Sequence, residues 1–156
     1  MTVVDDLLYQ VSLRLVVCTN VQRDKVAQLF SQTSFFTLLE RRTQVAQMIA
    51  DYKLVLHLDI EDLSIEQANF KKIHNQASTL SLDSLLVGII FEEMIAQSKK
   101  NQTIRIQALR KSEQYPVNNL PESRQHETYA QLQRCRLTIQ EINDQLVCLM
   151  ADFLRA

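Results

Sequence analysis

One glycine, Gly88, and two prolines, Pro116 and Pro121, are all that the 156 residues contain of the two strongest turn formers. Hairpins and tight reversals draw on glycine because it alone takes left-handed backbone without steric cost, and on proline because its φ is preset. A chain so poor in both cannot build many short strands. It can build long helices joined by few turns, so the expected fold class is all-α, a helical bundle of about five to six helices. At 46% apolar residues it can bury a core, and its length is that of one domain.

Apolar spacing places the helices. Residues 3 to 18 carry Leu7, Leu8, Val11 and Leu15 at helical steps, which predicts a first helix. From Ser34 to Leu56 the set Leu38, Leu39, Val45, Met48, Ile49, Tyr52 and Leu56 predicts a long amphipathic helix with one buried stripe. Asp59 to Glu61 reads as a turn, and Ser64 with Gln67 has the form of a capping box opening a helix that runs to about Ala77. Ser81 and Asp83 offer the next cap, before an apolar helix with Leu85, Leu86, Ile89, Ile90 and Ile95 that continues past Lys100. Gly88 within it is expected to let a neighbour approach closely. Residues 112–121 hold both prolines and predict a linker between a core over 34–111 and a C-terminal helix over 122–154, with Pro121 suited to a first helical turn. In that last helix Leu132, Cys135, Ile139, Ile142, Leu146, Leu149 and Phe153 form a seam.

Several function classes are disfavoured. A formal charge of −1 gives no clustered positive field for nucleic acid. No apolar run approaches the roughly 20 residues that span a bilayer, and Asp5 and Asp6 stand where a signal peptide carries basic residues. Cys18, Cys135 and Cys148 show no CxxC spacing, and His57, His74 and His126 form no close pair, so no metal site is expected. A disulfide stays open, with one thiol left over by the odd count. No GxSxG, glycine-rich phosphate loop or HExxH occurs, and no cofactor is expected.

Polar residues beside the buried stripes are more informative. Arg42 and Lys53 are eleven residues apart, so on one helix they project within about 20° of each other, about 16 Å apart along the axis. Two cations so placed can converge on a small anion. Ser98 and Gln102 stack four apart on another helix, Asp62 and Glu66 four apart near the start of a third, and Arg136 flanks the C-terminal seam. Each also has an ordinary reading as a solvated face, a helix-start acid or a snorkelling side chain.

The stretches LLERRTQVAQMIADYK, IEDLSIEQ and LSLDSLLVGIIFEEMIAQSKKNQ resemble the helical AroQ class of chorismate mutases in order, spacing and residue type, over about two fifths of the chain from Leu38 to Gln102. That pattern is an Arg, a Lys eleven residues on, an Asp, an acid four further, and F-x-x-x-I-x-x-S-x-x-x-Q. Here it is met by Arg42, Lys53, Asp62, Glu66, Phe91, Ile95, Ser98 and Gln102. VAQMIADYK and IEDLSIEQ look closest to the exported gamma-type subclass, whose later helix supplies an arginine from the same chain; CRLTIQEINDQLV resembles that segment and offers Arg136, with Arg134 and Arg124 as alternatives. Ile65 stands where the family commonly has a second arginine.

The resemblance implies an intramolecular rearrangement of chorismate to prephenate, serving phenylalanine and tyrosine synthesis, in an AroQ-like bundle. It implies Arg42, Lys53 and Gln102 as catalytic, and Arg136, Asp62, Glu66 and Ser98 as substrate-binding. It also implies a homodimer with chorismate as its small-molecule partner, and neither nucleic acid nor membrane. A gamma-type protein is periplasmic or secreted, and the cytoplasm is the alternative. The competing reading is a non-catalytic helical interaction module, an adaptor, chaperone or inactive relative, whose C-terminal seam binds a partner helix.

Overall fold

A computed structural model of the chain describes residues 2–112 and 120–156. Six α-helices account for most of them: α1 Val3–Arg14, α2 Asn20–Phe30, α3 Thr33–Val55, α4 Leu63–Thr79, α5 Ser84–Arg110 and α6 Glu122–Met150, with a 3₁₀ turn, Leu15–Val17, after α1. The all-α expectation is met. No helix among the described residues is long and apolar enough to cross a membrane. The predicted linker falls mostly outside the described residues, which include neither Pro116 nor the rest of 113–119. Pro121 is the residue before α6.

The long helices α3 and α6 pack lengthwise, α5 and α4 lie alongside them, and α1 covers α5 and the middle of α3. Their shared core holds Phe35, Leu86, Ile90, Phe91, Leu132, Ile142, Leu146 and Met150, all fully buried. Phe30 meets Phe35 edge to face at 4.9 Å between ring centroids, a preferred aromatic geometry that joins α2 to α3. The α6 seam is turned into this core, with Leu132, Ile142 and Leu146 at 0% exposure. A surface that a partner helix would need is thus already covered by α3 and α4.

Several local expectations are corrected. The first helix stops at Arg14, and the chain tightens into the 3₁₀ turn before Cys18. Residues 20–30, which lack a strong apolar period, form α2; its signal was the capping box of Thr19 and Gln22, where each side chain bonds the other's backbone N–H. Helix α4 is capped two residues before Ser64, the residue expected to open it, because Asp62 is extended and its carboxylate accepts from the Ile65 N–H. Asp83 caps α5 as expected, accepting from Leu85 and Leu86, whereas Ser81 takes a left-handed conformation. A Cβ on Gly88 would meet nothing within 4 Å, so no neighbour requires that glycine. Met48 and Leu85, read as part of the apolar stripes, are 47% and 52% exposed. The stripe of α3 runs through Leu39, Arg42, Ala46, Ile49 and Lys53 instead, and Met48 lies about 100° from Ile49. All three cysteines are free thiols, with Cys18 and Cys135 buried and Cys148 exposed.

Helices α3 and α4 end alike. In α3 the Leu58 N–H bonds the Lys53 carbonyl at 2.8 Å and the His57 N–H the Leu54 carbonyl at 3.2 Å; in α4 the Leu82 N–H bonds the Ala77 carbonyl at 3.0 Å. These are Schellman closures, whose left-handed residue is usually glycine. Here it is His57 at φ 55° and Ser81 at φ 56°. Left-handed backbone costs a residue with a Cβ about 1–2 kcal/mol, offset in part by glycine's greater freedom when unfolded. His57→Gly is therefore expected to raise the unfolding free energy by about 0.5 kcal/mol, read from urea denaturation; a lower midpoint would show that His57 is not strained.

Candidate active site

A cavity of about 1030 Å³, its mouth included, opens between α3, α4, α5 and α6. All seven residues singled out from the sequence line it: Arg42 and Lys53 from α3, Asp62 and Glu66 from the start of α4, Ser98 and Gln102 from α5, and Arg136 from α6. Of the three arginines considered for the last position, Arg136 is the one on its wall; Arg124 and Arg134 are exposed and elsewhere. Ile49, Ile95, Ile139 and Ile65 supply apolar surface between the charges.

The stripe of α3 explains why two cations are buried. Positions 39, 42, 46, 49 and 53 alternate steps of three and four, so Arg42 and Lys53 occupy places where a core helix normally carries apolar side chains. Arg42 is 9% exposed and Lys53 6%. Arg42 Nε donates to Asn143 Oδ1 at 3.0 Å across the α3–α6 contact. Burial pushes the Arg42 guanidinium down to about 10, and among the described residues no carboxylate pairs with it. Its terminal nitrogens keep the forked face that suits a carboxylate.

Lys53 sits in the last turn of α3, and its Nζ donates to the Ile60 carbonyl in the loop before α4. Burial holds its pKa below the ordinary lysine value, and the nearby Arg136 adds to this, while Asp62 and Glu66 pull the other way. The Schellman closure folds residues 57–62 back over the helix end, so the loop contacts both the carbonyl and the ammonium of Lys53.

Helix α5 contributes a hydroxyl and an amide one turn apart. Gln102 Nε2 donates to Ser98 Oγ at 3.1 Å, and Gln102 Oε1 is buried with no hydrogen-bond partner among the described residues. Next to Ser98, Lys99 reaches Glu66 Oε1 at 2.6 Å and Glu61 Oε1 at 3.0 Å. Asp62 spends one carboxylate oxygen on the α4 cap, which fixes Glu66 one turn later.

Two contributors were not singled out from the sequence as site residues. Asn143 is 4% exposed and is the sole hydrogen-bond acceptor of Arg42 among the described residues. Its signal was an amide on the buried seam of α6, one residue after Ile142. Lys99 lines the cavity too, but beside Lys100 it reads in sequence as solvated surface. Among the described residues no group of three or more His, Cys, Asp or Glu stands where it could hold a metal ion.

A smaller cavity, of about 430 Å³, lies behind the first. Arg42, Ala46, Ser98 and Gln102 line both, and Val3, Val4 and Leu7 of α1 close the far side. Gln97 Nε2 ties α1 to α5 by donating to the Val3 carbonyl at 2.8 Å and to Asp6 Oδ2 at 3.3 Å.

Four cations (Arg42, Lys53, Lys99, Arg136) and two acids (Asp62, Glu66) thus face one enclosed space, a surplus of two positive charges. Such a wall suits a small dianion with an apolar body. Neither the curated proteins nor the solved structures include a match to the chain. Residues 34–103 match the family described as chorismate mutase type II, a span that runs from the start of α3 to one residue past Gln102 and so holds six of the seven wall residues named above. Residues 34–103, an all-helical stretch apart from its connecting turns, are thus similar to a chorismate mutase type II domain.

Proposed function

We propose that the protein is an isomerase that converts chorismate to prephenate. The observation that carries this reading is the doubly positive surplus of the cavity, matched to a substrate with two carboxylates, beside a buried amide and a buried ammonium. Within the one molecule a C–O bond to the ether oxygen breaks as a C–C bond forms, and no nucleophile or proton transfer is needed. The protein has two tasks. It holds the compact reactive conformer, and it stabilises the negative charge growing on the ether oxygen. Even a millionfold acceleration requires about 8 kcal/mol from these two effects together.

Arg42 and Arg136 take the carboxylates through forked, charge-assisted hydrogen bonds, with Ser98 adding a hydroxyl. Lys53 and Gln102 donate to the ether oxygen, and Glu66 accepts from the ring hydroxyl. Desolvation strengthens these contacts, since Lys53 and Arg42 have little water to compete with. The reading extends to a role in phenylalanine and tyrosine synthesis and, from the position of Arg136 on α6, to a gamma-type arrangement in which one chain completes its own site.

Incubating the purified protein with chorismate and following the loss of its ultraviolet absorbance tests the reading; an unchanged spectrum overturns it. The pH profile is a second check. Gln102 does not titrate, and Lys53 donates only while protonated, so kcat/KM should be level through neutrality and fall on the alkaline side. Because Lys53 is held below the ordinary lysine value in the free protein, the fall should come earlier than an unperturbed lysine would give. Bound carboxylates favour the ammonium, so kcat should fall later than kcat/KM. A steep loss already between about pH 7 and 8 that persists in Lys53→Met contradicts the assignment of Gln102, since neither side chain could then account for it.

A further inference from the structure

Glu66 has no cation beside it on the first turn of α4, where the neighbouring position is Ile65. The cation comes from across the cavity. Lys99 Nζ, on α5, stands 2.6 Å from Glu66 Oε1 and 3.0 Å from Glu61 Oε1. Glu61 lies outside the cavity lining and Glu66 within it, so the ammonium is anchored at the mouth and aimed inward. Among the described residues nothing else bonds the Glu66 carboxylate, whose second oxygen is left for a ligand. One helical turn later on α5 is Gln102, so the same helix sets both the amide and the clamp on the carboxylate.

Resting on the mutase reading, we propose that Lys99 is a positioning residue and a specificity determinant. It fixes one oxygen of Glu66 so that the other accepts the substrate's ring hydroxyl. A carboxylate on a long side chain loses rotamer freedom when it binds; one already held by an ion pair has lost it beforehand. Lys99 is also one of the four cations that set the surplus of two, so removing it weakens binding of the dianion as well. The dominant effect is on recognition of the hydroxyl, because Arg42 and Arg136 carry the forked contacts to the carboxylates.

The test is a kinetic cycle on the full chain with wild type, K99M, K99R, E66Q and K99M/E66Q, each assayed with chorismate and with the analogue lacking the ring hydroxyl. The Lys99 side chain is 34% exposed, so K99M should fold, which circular dichroism and a melting curve check. K99M is expected to lower kcat/KM for chorismate about tenfold, the scale of one weakened charge-assisted hydrogen bond, mainly through KM. K99R should recover most of it. In the E66Q background, and with the hydroxyl-free analogue, K99M should cost less than about threefold. A K99M protein equal to wild type overturns the inference, as does an equal loss in every background and with both substrates, which would make Lys99 a direct carboxylate contact. If wild type leaves chorismate unchanged, the proposed function falls and this inference with it.

Discussion

Lys53→Ala should lower turnover by about a thousandfold while the protein keeps its fold, the largest loss that a single side chain here is expected to cause. The ammonium lies in a water-poor wall and is aimed where charge develops on the ether oxygen, so its contribution belongs to the transition state more than to substrate binding. KM should therefore change much less than kcat. Alanine is the better helix former, and the backbone carbonyl of residue 53, which accepts the Schellman bond from Leu58, is untouched. Burying the ammonium is itself unfavourable, so its removal should cost little stability. Lys53→Arg should not rescue turnover, because a planar fork cannot reproduce a point charge held against the Ile60 carbonyl. Lys25 provides the control: its Nζ donates to the Arg155 carbonyl at 2.9 Å, away from the cavity, and Lys25→Ala should be nearly silent. Near-normal turnover in Lys53→Ala would remove the site assignment.

The double variant Arg42→Met/Asn143→Leu should lose most of its activity and yet melt at a higher temperature. Arg42 is buried, and its only hydrogen-bond partner among the described residues is the neutral Asn143. Burial holds its pKa at about 10 in the folded protein, well below the ordinary arginine value, which places the cost of the buried charge on the order of 3 kcal/mol. Since the folded value is the lower one, the cost is present in full at every pH below about 10 and fades only as pH rises toward the unfolded value. Replacing the charge and its acceptor together strands no polar group, and apolar replacements of buried ionic clusters are often stabilising. The expected gain is about 1–3 kcal/mol, a few degrees per kcal/mol for a domain of this size, with kcat/KM down about a thousandfold from loss of the forked carboxylate contact. Asn143→Leu alone should instead destabilise by about 1–3 kcal/mol, because it leaves Arg42 Nε buried without an acceptor. A double variant that melts no higher than wild type would mean that Arg42 carries no uncompensated charge.

Much of the site was legible because its residues interrupt the apolar period. Arg42, Lys53 and Gln102 fall on steps of three and four from core positions, so a helix that buries its stripe must bury them too. Long periodic helices such as α3, α5 and α6 follow from the same arithmetic. Helix starts were less legible: Asp62, Ser64 and Gln67 all have capping chemistry, and only the extended backbone at Asp62 decides among them. Helix α2 is short and buries only Val26, Leu29 and Phe30, too few to show a period. Lys99 was hidden for a different reason. Its role depends on Glu61 and Glu66 across a tertiary contact, and no spacing within α5 separates it from Lys100.

The wall shared by the two cavities bears on how much chain a working site requires. Seen from behind, the α1 side of the wall around Arg42, Ser98 and Gln102 is made by Val3, Val4 and Leu7, which lie before residue 34, while Arg136 and Asn143 lie after residue 103. A fragment trimmed to the matched span would keep six of the seven side chains and turn a chamber into a tunnel. Solvent entering from the rear would dissolve the low-dielectric surroundings on which a buried guanidinium and ammonium depend for their strength.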